Sequence, residues 1–228
     1  MEEPKGKLIH CNGIVKCQEP KEEGYKEENG LDYDSFRNIF FRDFDLDYIP
    51  ELAIEYDLHF HIATHSKATS TCQEKADITG LPLERVIKGI YLEDSKEEKV
   101  YALAIPGNKT YVKSKLAEFL CIKDDEVDSR IRKSRWLPVH IEFGTVHPFV
   151  NSKSLNFPYG NGKLECILFD KDYIDKRMNK DGLDDFSFTT HPSTGYDNHR
   201  LSIQMNYHSA FIILSTRFPE KVRAVELV

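Results

Sequence analysis

The chain has 228 residues, 40% hydrophobic and 30% charged, with a net charge of −7. This is an ordinary soluble composition with length for a substantial core. The acidic balance excludes gripping nucleic acid by bulk charge, but leaves room for a local basic groove.

Five cysteines (Cys11, Cys17, Cys72, Cys121, Cys166) at irregular spacing speak against a disulfide framework and for a reducing cytoplasmic setting. No run reaches transmembrane length, and MEEPKGKLIH has no apolar core of the kind a signal peptide carries. Residues 1–43 are polar and acidic and read as a partly ordered extension, with residues 44–228 as the main domain. Within the extension, LIHCNGIVKC (8–17) suits a short strand pair and SFRNIFFRDF a helix.

The main domain opens with YIPELAIEY (48–56), a helix with Pro50 in its first turn, followed by DLHFHIATH (57–65) as a strand. Thr71-x-x-Glu74 is a capping-box pattern that opens the helix TCQEKADIT, which Gly80 and Pro82 stop. LERVIKGIYL then reads as a strand, EDSKEEK as a charged turn and VYALAIPG (100–107) as the antiparallel partner strand. KSKLAEFLC (113–121) places Leu116, Phe119 and Leu120 on one helical face. LPVHIEF (137–143), LECILFD (164–170), RLSIQMNY (200–207) and SAFIILS (209–215) read as further strands. This order predicts an α+β fold with a mixed, mostly antiparallel, barrel-like sheet flanked by helices.

Lys88 stands out in VIKGIYL, because strand alternation puts it on one face with the apolar Val86, Ile90 and Leu92. An ammonium there needs an anionic or hydrogen-bonding partner. A nearby carboxylate would serve, as would a side chain lying on the sheet with its head in water.

In order and spacing, GLPLERVIKGIYLED, VYALAIPGN, KSKLAEFL and GTVHPFV resemble the YbaK/prolyl-tRNA-synthetase editing-domain family over about residues 45–175. The family's lysine-bearing strand, Pro-Gly-Asp/Asn strand end and Gly-x-x-x-Pro loop look like Lys88, Pro106-Gly107-Asn108 and Gly144-Thr145-Val146-His147-Pro148. Two positions depart from the pattern: Gly89 stands where the family usually has Thr, and His147 where it commonly has Ser.

The resemblance implies an aminoacyl-tRNA deacylase that hydrolyses mischarged tRNA in trans, with no metal, cofactor or covalent nucleophile. It implies that Lys88 faces the tRNA 3′ end and that the Gly144 loop shapes the aminoacyl pocket. Pro106, Gly107, Asn108, Thr145, Val146 and Pro148 would line that pocket, and His65 would contact the ribose or amino acid. His147 can act as a general base or narrow the pocket. Lys109, Lys113, Lys115, Arg130, Arg132, Lys133 and Arg135, with Trp136 among them, can form a basic rim for tRNA; as a motif they equally describe a solvated charge run. Two other readings stand beside this one. The first is a non-catalytic module that binds tRNA or an aminoacyl-tRNA synthetase. The second is a metalloprotein using His59 and His61 with His65, His140 or His191.

Overall fold

The computed structural model describes residues 8–11, 41, 45–58, 60–64, 69–135, 137, 146–151, 163–178, 188–190 and 201–228. In chain order the elements are β1 (Leu8–Cys11), α1 (Tyr48–Glu55), β2 (Phe60–Thr64), α2 (Cys72–Thr79), a 3-10 turn (Leu83–Arg85), β3 (Ile87–Asp94) and β4 (Lys99–Pro106). There follow α3 (Lys113–Leu120), α4 (Asp124–Arg130), β5 (Ile131–Lys133), β6 (Lys163–Asp170), α5 (Lys171–Met178), β7 (Phe188–Thr190), β8 (Leu201–Met205), α6 (Tyr207–Arg217) and β9 (Val222–Val225). The helix expected in SFRNIFFRDF and the strand LPVHIEF fall almost wholly outside the described residues.

The strands form two sheets, β1-β2-β8-β7 and β5-β3-β4-β6-β9. The fold is mixed α+β as expected. Neither sheet closes on itself among the described residues, so the expected barrel-like form holds only loosely. The first sheet is antiparallel throughout. In the second, β3 pairs antiparallel with β4 and β5, while β4-β6 and β6-β9 run parallel.

β4 carries the core. It is buried on both faces, which is why KVYALAIP reads as a nearly continuous apolar run. Val100, Ala102 and Ala104 face one apolar cluster with α1, α6 and β8, which supply Ile49, Ile213 and Ile203. Tyr101, Leu103 and Ile105 face a second cluster with Leu116 of α3 and Val127 of α4. The β3 face carrying Ile87 and Tyr91 joins the first cluster, and Ile90 and Leu92 join the second.

Local signals account for α2. The Thr71 side chain accepts from the Glu74 N–H at 3.2 Å, and Glu74 reaches back to the N–H groups of Ser70 and Thr71 at 2.8 and 3.0 Å. Gly80 closes the helix with a left-handed φ of 68°, a geometry in which a Cβ is strained.

SAFIILS departs from its predicted strand: it lies within α6. Asn206 caps the helix by accepting the His208 N–H at 2.8 Å, and the buried residues Tyr207, Ala210, Ile213 and Leu214 recur at helical spacing. A short β-branched run does not reveal its period by itself, and the cap decides the outcome.

The β3–β4 hairpin is stapled to the end of α4. Asp94 is buried, accepts the Lys96 and Glu97 N–H groups at 2.9 and 3.2 Å, and pairs with the Arg130 guanidinium at 2.6 Å. Burial pushes the Asp94 carboxyl up, but Arg130 and the two amides outweigh it and hold the carboxyl below its ordinary value. Arg130→Ala is expected to cost about 3 kcal/mol by stranding that charge, read as a lower urea midpoint. The sign of the pH effect follows from the lowered folded pKa. The pair's contribution is present above the unfolded Asp value of 3.8 and is lost as pH falls through the folded one. Wild type and Arg130→Ala therefore converge in stability in strong acid.

Candidate functional site

Lys88 lies near the start of β3, opposite Ile105 of β4. Its Nζ donates to the main-chain oxygen of Lys109 at 2.5 Å. Among the described residues no carboxylate pairs with it. The partner found among the described residues is therefore a neutral carbonyl, which does not offset the ammonium's charge.

That carbonyl belongs to the strand-end turn. Pro106 is buried, the Lys109 N–H donates to the Pro106 oxygen at 3.0 Å, and Asn108 and Lys109 are exposed. Gly107 is required by close approach: an added Cβ would meet the Leu83 and Val86 oxygens at 2.8 and 2.9 Å and the Cys72 Cβ at 3.1 Å. The first turn of α2 thus leans on the Gly107 turn beside Lys88.

Two residues that sequence reasoning did not single out for this region sit in α2. The half-buried Cys72 has its thiol pushed up by burial, against a smaller opposing pull from Lys88, so it is not an activated thiolate. Lys75 is 2% exposed, and burial pushes its amine down to about 6. Its helical spacing to Cys72 and Thr79 is the signal that places it on the inward face of α2. Because its folded value lies below the unfolded 10.5, stability rises with pH between about 6 and 10.5. Lys75→Met is expected to remove up to about 1.4 kcal/mol of that slope per pH unit, seen in urea titrations at pH 6.5 and 9. Equal slopes in the two proteins would refute it.

The Val146–Pro148 segment meets β3 from the other side. A Cβ on Gly89 would lie 2.5 Å from the Val146 oxygen, 2.7 Å from its carbonyl carbon and 2.9 Å from the His147 nitrogen. The missing side chain lets the Val146–His147 peptide rest on the strand. Tyr91, two residues on and on the same face, donates to the His147 oxygen at 3.2 Å. His147 is 1% exposed and its ring packs 6.0 Å from Phe149; Pro148 is also buried. Gly89 and His147, the two positions that depart from the family pattern, thus occupy one contact.

Lys88 and Gly89 project to opposite faces of β3, so the lysine turn and the Val146 segment flank the strand rather than share a face. What joins them is the strand's edge. Opposite β4, β3 pairs with β5 at Leu92–Asp94, and the Tyr91 oxygen accepts the Ser134 N–H at 2.8 Å. Gly144, Thr145 and His65 lie outside the described residues, as do Trp136 and the histidines His59, His140 and His191. Among the described residues no group of three His, Cys, Asp or Glu side chains is arranged to hold a metal ion.

The expected rim residues have varied roles. Arg130 is held by Asp94 and Glu97, Arg132 pairs with Glu93, and Lys113 pairs with Asp128. Lys115 donates to the Val228 oxygen at 2.7 Å. Lys109, Lys133 and Arg135 are exposed.

No family model matches the sequence, and no curated protein matches it. Solved structures do match. The crystal structure of hypothetical protein APE2540 is 17% identical, with a TM-score of 0.50 over 78% of this chain and 98% of that one. The chain shares the fold of that protein. A putative trans-editing enzyme for prolyl tRNA synthetase aligns at 13% identity and TM-score 0.48, over 86% of this chain and 98% of that one. At these identities the likeness is one of fold. No helix among the described residues is long and apolar enough to cross a membrane.

Proposed function

We propose that this protein is a trans-editing aminoacyl-tRNA deacylase that hydrolyses the ester between a mischarged amino acid and the tRNA 3′ end. The observation that carries the reading is Lys88, a lysine held by the Lys109 carbonyl with no carboxylate partner among the described residues. Such a site suits an anion, and the phosphodiester next to the terminal adenosine supplies one.

In this reading the substrate lies across β3 at Lys88 and Gly89. Its 3′ end lies against Lys88 and the Gly107–Lys109 turn, and its aminoacyl group lies against the Val146–Pro148 backbone. Water adds to the ester carbonyl and the C–O bond breaks. The tRNA leaves with its ribose hydroxyl and the amino acid leaves as the free acid. Main-chain groups near the loop steady the developing oxyanion. Lys109, Lys133 and Arg135, being exposed, are the rim residues best placed to meet the tRNA backbone. The free thiols of Cys72, Cys121 and Cys166 suit a reducing cytosol.

The deciding experiment incubates purified protein with a panel of mischarged tRNAs. Release of one or more amino acids above the buffer rate supports the proposal, and no release from any of them rejects it. A second reading, binding of tRNA or a synthetase without hydrolysis, draws on the burial of His147, which takes that imidazole away from water. Tight tRNA binding with no turnover would favour it.

A further inference from the structure

The segment after β9 is clamped in place. Leu227 has no exposed surface and packs in the cluster that includes Leu116 and Ile105. The N–H groups of Leu227 and Val228 both donate to Asp170 Oδ2, at 2.9 and 3.0 Å. The Leu227 carbonyl accepts the Val112 N–H at 2.6 Å, and the Val228 oxygen accepts Lys115 Nζ at 2.7 Å.

Asp170 is fully buried where β6 passes into α5. Its own N–H donates to the Tyr207 hydroxyl at 2.8 Å, and that hydroxyl donates to the Ala104 oxygen at 2.6 Å. The anchor is therefore fixed to the middle of the sheet. Its Oδ1 makes no hydrogen bond among the described residues, so the carboxylate's hydrogen bonding is concentrated on Leu227 and Val228.

Val112 lies three residues from Lys109, whose carbonyl holds the Lys88 amine. A continuous set of contacts thus runs from Asp170 through Leu227 to Val112 and on to the Lys88 site. We propose that Asp170 is a positioning residue for Lys88: through the Leu227–Val228 segment it fixes the strand-to-α3 connection and, with it, the Lys109 carbonyl. The contact set does not depend on the proposed reaction; only its consequence for catalysis rests on that reading.

Two variants break the set at different links. Asp170→Ala removes the anchor, whereas Asp170→Asn keeps an oxygen able to accept both amides. Val112→Pro breaks the link to Leu227, because it removes the N–H and sets the ring Cδ against the Leu227 oxygen. The Val112 φ of −86° lies about 20° from what proline adopts, and the residue is 40% exposed. The readout is the rate of reductive methylation of Lys88, followed by peptide mass spectrometry with the exposed Lys133 as internal reference.

In folded Asp170→Ala and Val112→Pro proteins, Lys88 labelling is expected to rise about fivefold, the change that losing one net hydrogen bond implies. Lys133 stays unchanged and Asp170→Asn stays near wild type. Should Asp170→Ala fail to fold, Val112→Pro decides. Unchanged Lys88 labelling in Val112→Pro overturns the inference, even if amide exchange at residues 110–111 speeds up. Deacylation assays on the same proteins address the other question. A wild type without turnover rejects the proposed function, and the labelling rates still decide whether Asp170 positions Lys88.

Discussion

Lys88→Ala is expected to lower kcat/KM for aminoacyl-tRNA hydrolysis by about 10- to 100-fold, the loss of one charge-assisted contact to the nucleotide end. The fold should survive, because the side chain is half-buried and its bond goes to a turn carbonyl. The urea midpoint should therefore move by the equivalent of about 1 kcal/mol or less. Lys88→Arg keeps the charge but presents a planar fork in place of a compact ammonium, and should recover binding more than turnover. The decisive comparison is activity against stability in one preparation. An alanine variant that hydrolyses every substrate at the wild-type rate removes Lys88 from the reaction. One that loses activity only in proportion to its unfolding reduces it to a turn staple.

A second large effect, this one on stability, is expected at Gly89. Its backbone is not in the left-handed region, so the constraint is one of space. The atoms that a Cβ would meet, at 2.5 to 2.9 Å, belong to the Val146–His147 main chain and cannot rotate aside. Gly89→Ala should cost about 1–3 kcal/mol, and Gly89→Thr more, as a fall in denaturation midpoint with an unchanged m-value. The threonine usual in the family the sequence resembles would therefore damage this protein, because the strand and the Val146–His147 segment are in close contact. A threonine variant as stable as wild type would show that the segment lifts away freely, and the close crossing would lose its meaning.

The parts of this fold that were legible in the sequence are those fixed by neighbours along the chain. Thr71 and Glu74 announce α2 because both halves of their contact lie within one turn. The β3–β4 pairing follows from two apolar runs around a charged turn. SAFIILS was not legible, since its residues suit a strand and only the Asn206 cap and the packing surface choose a helix. The parallel pairing of β4 with β6 and of β6 with β9 left no mark in local pattern either. At the candidate site, Lys88 stood out as a charge on an apolar face. Its carbonyl partner 21 positions away did not, nor did the contact that ties Gly89 to Val146. Those depend on segments far apart in sequence meeting through the core, which periodicity does not encode.

The parallel trio has a consequence for how the chain reaches this state. Ala104 of β4 lies beside Phe169 of β6, and Phe169 beside Ala224 of β9. A nascent chain emerging from the ribosome would hold β4 without its inner neighbour for some sixty residues of synthesis (the synthesis rate then sets the delay). β6, with its run Cys166-Ile167-Leu168-Phe169, would next wait with an open, sticky edge until Val222–Val225 had been made. Such non-local pairing folds slowly and gives stray strands time to dock. The protein is therefore expected to lean on chaperones during biosynthesis.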